Sequence, residues 1–183
     1  MSTRVLVLCS ILATIAAPEP TQDRAISGSD AAVYNALLQQ YNSSKRYGVP
    51  VVLGTTYSSS VPGLDKQLSV LVAPETASSF HRRNRDRLSI APLPQATLLL
   101  ESDYNAIFDE GACDETWTQF HASHPDTIGL WRFSAVGYSE DETEAVVCVV
   151  WGGACLAGFI DLAILRFSDG AWRVTHQQQL FIA

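Results

Sequence analysis

Along the first two thirds of the chain, apolar and aromatic residues return at every third or fourth position; in the last third they alternate or run without a break. The first spacing is that of a helix with one buried face, and the second that of extended strands. Val33, Leu37 and Tyr41, with Tyr34 and Leu38 beside them, make one helical face over about 30–42, with Ser29 as N-cap and Asp30 in the first turn. VPVVLGTTY, residues 49–57, is rich in β-branched residues and predicts a strand, whereas SSSVPGLDKQ, residues 58–67, predicts a loop. Pro74 and Glu75 suit a helix start, and Arg82, Arg83, Arg85 and Arg87 crowd its end. After the link SIAPLPQ, Ser102 or Asp103 caps a short helix through Phe108 that Gly111 ends. Asp114 caps another, with Cys113, Trp117, Phe120 and His124 along one side and Pro125 stopping it.

From Ile128 onward the pattern predicts four strands, over about 129–138, 143–151, 156–167 and 171–182. Their links are short: SEDE at 139–142, a Gly152–Gly153 corner, and Ser168-Asp169-Gly170, whose Asp-Gly is a hairpin signal. Short links require antiparallel neighbours. The second and third of these strands are apolar on both faces, as in the middle of a sheet covered by helices on one side. The fold class expected is therefore α+β: N-terminal helices packed on a C-terminal four-stranded antiparallel meander, with an additional strand near 49–57.

MSTRVLVLCSILATIAA places one Arg ahead of an apolar stretch, which is the pattern of a secretory signal peptide ending in small residues. The domain organisation expected is a signal peptide over 1–16, a polar tail over 17–29 and one α+β domain over 30–183. Removing residues 1–16 takes away Arg4 and no acid, so the net charge passes from −7 to −8. Such an acidic chain argues against nucleic acid as a partner. The leader is too short to span a bilayer, so no stable membrane span is expected after its removal. The protein is expected to be secreted or periplasmic.

An oxidising compartment favours disulfides, and three cysteines remain after the leader: Cys113, Cys148 and Cys155. A four-residue loop at the Gly-Gly corner would pair Cys148 directly with Cys155, so that bridge is expected, with Cys113 joined to one of them as the competing arrangement. His121 and His124 form an H-x-x-H, but no further ligands lie at zinc spacing, so no metal is assigned. Walker, G-x-G-x-x-G and G-x-S-x-G motifs are absent from the sequence, and no cofactor is expected. The arginines at 82–87 complement a helix dipole and are solvated, with an anion site as the competing reading. Asp161 stands mid-strand on the side of Phe159, Ala163 and Leu165, where a carboxylate must be paired, solvated or neutralised.

AVYNALLQQY, FHRRN, WTQFHASHP, GLWRFSAVGYS, EAVVCVVWGGACLAG and DGAWRV together resemble a bacterial family of secreted proteins of unassigned function. The resemblance covers roughly 31–183 and implies an exported single domain; it brings no catalytic residues. Asp161 departs from the family pattern, as does Tyr138, where Phe is commoner. The expected function is a non-catalytic binding or envelope-associated protein with a protein or small-ligand partner. The alternative is a small-molecule binder or enzyme using a pocket between sheet and helix, with Asp161 and His121 or His124 as acid and base. Export predicts a mature chain that begins at Ala17. N-terminal sequencing of the protein recovered from a bacterial envelope fraction checks this, and an intact Met1 there would refute it.

Overall fold

The computed structural model describes residues 27–43, 48–57, 61–109, 111–127 and 129–182. The expected signal peptide and most of the polar tail lie outside the described residues. The elements in chain order are α1 (Ser27–Tyr41), β1 (Val51–Leu53), α2 (Leu64–Leu71), α3 (Pro74–Arg83), β2 (Thr97–Leu99), α4 (Glu101–Phe108) and α5 (Cys113–Ser123), then β3 (Leu130–Phe133), β4 (Gly137–Tyr138), β5 (Glu144–Ala154), β6 (Ala157–Ser168) and β7 (Ala171–Ile182).

The protein is α+β with a mostly antiparallel seven-stranded sheet, wider than the four-stranded meander the sequence suggests. Strand order is β2-β1-β3-β5-β6-β7, with β4 pairing β5 off that path. The strand expected near 49–57 is β1, and it runs parallel to both β2 and β3. Three elements depart from the sequence reading, the first being β2, where no strand was expected and which is held by its pairing with β1. Residues 64–71 form a helix, α2, because Leu64 and Leu68 pack into a core with Phe80, Val146 and Leu162. The first meander strand is broken into β3 and β4 at Ser134, whose carbonyl accepts from Tyr34 Oη at 2.9 Å and whose hydroxyl accepts from the Cys148 amide at 2.8 Å.

Helices cover both faces of the sheet. On one face α1 buries Val33, Tyr34, Leu37 and Leu38 against Trp131, Phe133, Val147, Val149 and Leu165. Each such aliphatic side chain contributes about 1.5–3 kcal/mol by burial. On the other face α2 and α3 sit over Val146, Cys148, Leu162 and Ile164, and α4 and α5 over Val51 and Leu130. Alternation along each strand divides the faces: Val147 and Val149 look one way, Val146 and Cys148 the other. Central strands are apolar on both faces because both faces are covered, which corrects the one-sided picture.

Among the described residues no helix is long and apolar enough to cross a membrane.

The β5–β6 hairpin corrects the expected disulfide. Strand β5 runs through Gly152 and Gly153 to Ala154, and the two-residue turn falls at Cys155–Leu156. Cys148 then lies opposite Leu162, seven residues and roughly 23 Å of strand from Cys155. Cys155 is joined instead to Cys113 at the start of α5, with Cα atoms 5.6 Å apart; Cys148 lies outside the bridge, buried among Leu68, Phe80 and Leu162. Neither glycine forms the turn. A Cβ at Gly152 would stand 3.2 Å from the Trp117 indole, and the Gly153 carbonyl meets His121 Nε2 at 2.9 Å. At the β6–β7 link the Asp-Gly signal holds, with both Asp169 and Gly170 at positive φ.

Peptide mapping without reduction is expected to recover a Cys113–Cys155 cross-link, with Cys148 alkylated only after unfolding. Cys113→Ser is expected to cost about 2–4 kcal/mol in a urea melt. A cross-link containing Cys148 would overturn this pairing.

Candidate functional site

The ridge at the end of α3 is built by two local features. Asn84 caps the helix: its side-chain nitrogen donates to the carbonyls of Phe80 and Ala135 at 2.8 and 3.0 Å, and its oxygen accepts from the Ala135 amide at 2.8 Å. Phe80 meanwhile lies directly on β4, where a Cβ at Gly137 would come within 2.7 Å of the Phe80 Cα. Only glycine allows that approach. Arg82 and Arg83 are thereby held at the surface between two clefts.

The first cleft, of about 450 Å3, lies between α1, the end of α3 and residues 86–91. Asp30, Arg83 and Thr56 supply its polar lining, Tyr34, Leu88 and Ile90 its apolar wall, and Arg82 and Asp86 its rim. At its base Asp30 Oδ2 accepts from Arg83 Nη2 at 2.7 Å and Oδ1 from Tyr138 Oη at 2.9 Å. The Arg83 guanidinium also sits 5.5 Å from the centre of the Tyr138 ring. Burial raises the Asp30 pKa from its ordinary value, and the neighbouring Arg83 and Tyr138 oppose that rise without cancelling it.

The second cleft, of about 630 Å3, lies across the ridge and is bordered by Glu75, Ser79, Tyr138, Glu140 and Glu142. Arg82 and Arg83 line both clefts. Arg83 is committed to Asp30, and Arg87 is paired with Glu101. Arg82 meets no carboxylate among the described residues. The arginine cluster is visible in the sequence; Asp30, Tyr138 and Asn84, which organise it, lie 53, 55 and 1 residues from Arg83 and gave no local signal of that role.

The structure does not bring Asp161, His121 and His124 together. Asp161 lies on the α1 face of the sheet, only 5% exposed, where its Oδ2 accepts from Tyr41 Oη at 2.8 Å and from Gln177 Nε2 at 2.7 Å. Tyr41, Trp131 and Phe159 pack as an aromatic wall beside it. Both histidines belong to the α5 segment, which covers the opposite face. His121 is held by the Gly153 carbonyl and stacks on Trp117; His124 packs on Phe120 and borders a groove with Val49 and Asp126. The sheet separates carboxylate from imidazoles, so the acid–base pair considered from sequence is not assembled. Among the described residues no group of three His, Cys, Asp or Glu side chains is placed to hold a metal ion.

Asp161 instead anchors the end of α1. Its charge and the burial of the site together raise the Tyr41 pKa, burial being the larger cause; burial also raises that of Tyr34, helped by Asp30. In the unfolded chain both phenols ionise near 10. Between that value and their raised folded values the native state holds more protons, so stability is full below about pH 10 and falls as pH rises. Each tyrosine contributes a slope of up to about 1.4 kcal/mol per pH unit. Tyr41→Phe is expected to remove one of these slopes in urea melts from pH 9 to 11; an unchanged slope would place the Tyr41 hydroxyl in solvent.

Compared with protein-family models, curated proteins and solved structures, the chain matches none, and the functional reading rests on its own geometry.

Proposed function

We propose that the protein is an exported, non-catalytic binding domain, secreted or periplasmic, that receives an acidic group of its partner on the Arg82–Arg83 ridge. The observation that carries the reading is Arg82: it borders two adjacent clefts and has no carboxylate partner among the described residues, while Arg83 beside it is neutralised by Asp30. A cation at the junction of two concavities attracts an anionic group, and the fork of a guanidinium suits a carboxylate. The apolar wall of Tyr34, Leu88 and Ile90 lies beside that point and gives the partner a surface to bury. Glu75, Glu140 and Glu142 across the ridge discourage a partner that is acidic along its whole length, so a single acidic side chain flanked by neutral or basic ones fits best. The leader-like start of the sequence and the Cys113–Cys155 bridge support export.

The test uses two capped tripeptides, one with a central Asp and one with a central Lys, titrated into the labelled protein by NMR. The Asp peptide is expected to shift amides over residues 80–91, and Arg82→Gln to reduce that response at least fivefold. Equal responses to the two peptides, or an unaltered response in Arg82→Gln, would remove this assignment.

A further inference from the structure

On the sheet face that carries α2 and α5, the two helices leave a strip of β5 and β6 uncovered. The strip is a groove of about 260 Å3. Its floor is Val150 and Ile160 with the bare backbone of Gly152 and Gly158, Trp117 of α5 forms one wall, and Phe181 of β7 closes one end. Gly158 has no room for a side chain, since a Cβ there would stand 2.8 Å from the Trp151 carbonyl oxygen, so this part of the floor stays flat. Phe181 is 54% exposed, which leaves apolar surface at the end of the groove.

Arg132 stands in this apolar setting. It lies mid-strand in β3, opposite Val150 and between buried Trp131 and Phe133, and it is itself partly buried. Its guanidinium carbon sits 4.7 Å from the centre of the Tyr57 ring, and among the described residues it meets no carboxylate. Cations withdrawn from water are ordinarily paired with an anion. Stacking on Tyr57 occupies a face of the guanidinium and leaves its N–H groups, which lie in the plane, to donate sideways. One positive fork beside an apolar floor is the complement of an amphiphilic anion.

We propose that this groove is a binding site for a small amphiphilic carboxylate, with its head on the Arg132 guanidinium and its apolar body against Val150, Ile160 and Phe181. The volume lies just under the usual ~300–1,000 Å3 of ligand pockets, which sets the body at one aromatic ring or a medium-length alkyl chain. The site lies on other elements than the Arg82 ridge and stands independently of it. The Cys113–Cys155 bridge ties α5, and with it the Trp117 wall, to the hairpin that forms the floor.

The experiment is calorimetric titration of the intact, oxidised protein with octanoate and 3-phenylpropionate, and with octylamine and phenethylamine as cationic counterparts. Trp117 forms a wall of the groove, so tryptophan fluorescence gives a second readout. The carboxylates are expected to bind and the amines not. Arg132→Met is expected to weaken carboxylate binding at least tenfold and Phe181→Ala severalfold, whereas Arg85→Gln, which removes an exposed cation elsewhere, leaves it unchanged. Should Arg132→Met fail to fold, Arg132→Lys keeps the charge, loses the planar fork and stacking, and is expected to bind severalfold more weakly. No carboxylate binding at millimolar concentration, equal binding of the amines, or unaltered affinity in the Arg132 variant would each overturn the site.

Discussion

Helix α1 lying across the sheet is the contact on which the rest of the structure depends. Val33, Leu37 and Leu38 exclude water from one face of the sheet, and three polar side chains of the same helix fix its placement. Asp30 reaches Arg83 and Tyr138 at one end, Tyr34 reaches the Ser134 carbonyl in the middle, and Tyr41 reaches Asp161 at the other end. Burial of the apolar residues supplies most of the stabilisation but sets no unique position along the sheet. The directional hydrogen bonds do, because a shift by one turn would leave partly buried hydroxyls and carboxylates without partners.

The opposite face is assembled differently, through close approaches at glycines of the sheet. Gly137 lets α3 lie on β4, and Gly152 lets the Trp117 indole settle on β5. Glu144, nearly buried, joins these layers by accepting from Thr76 of α3 at 3.1 Å and pairing with Arg166 of β6 at 3.0 Å. The Cys113–Cys155 bridge then closes a loop of 42 residues between α5 and the hairpin tip. The uncovered strip between α2 and α5 follows from this arrangement, since each helix is drawn to its own cluster.

For a chain with net charge −7, the treatment of its cations is informative. Arg83, Arg87 and Arg166 are each matched to a carboxylate contributed by a distant part of the chain. Arg82 and Arg132 are not so matched, and each stands beside a concavity with apolar walls. Both offer a guanidinium fork to an anionic group beside apolar surface.

Local pattern was enough for the helix of residues 30–42, the helix opening at Pro74, the antiparallel strands after Ile128 and the Asp169–Gly170 turn, because side-chain period and turn chemistry act within a few residues. The candidate chemistry was legible only as residue types. Asp161 was seen to need partners, yet Tyr41 and Gln177 lie 120 and 16 residues away. His121 and His124 looked available to it until the sheet was seen to stand between them. Gly152 and Gly153 read as a turn because glycine's freedom is the same whether it serves a corner or a close approach, and that misplaced the partner of Cys155. Arg132 was passed over inside an apolar run, although a cation there was itself a signal. The sequence by itself determined the helices at 30–42 and after Pro74 and that the strands after Ile128 pair antiparallel. Only the tertiary structure decided which cysteines meet, which arginines are neutralised and where the clefts open, because these depend on distances between segments that no local spacing contains.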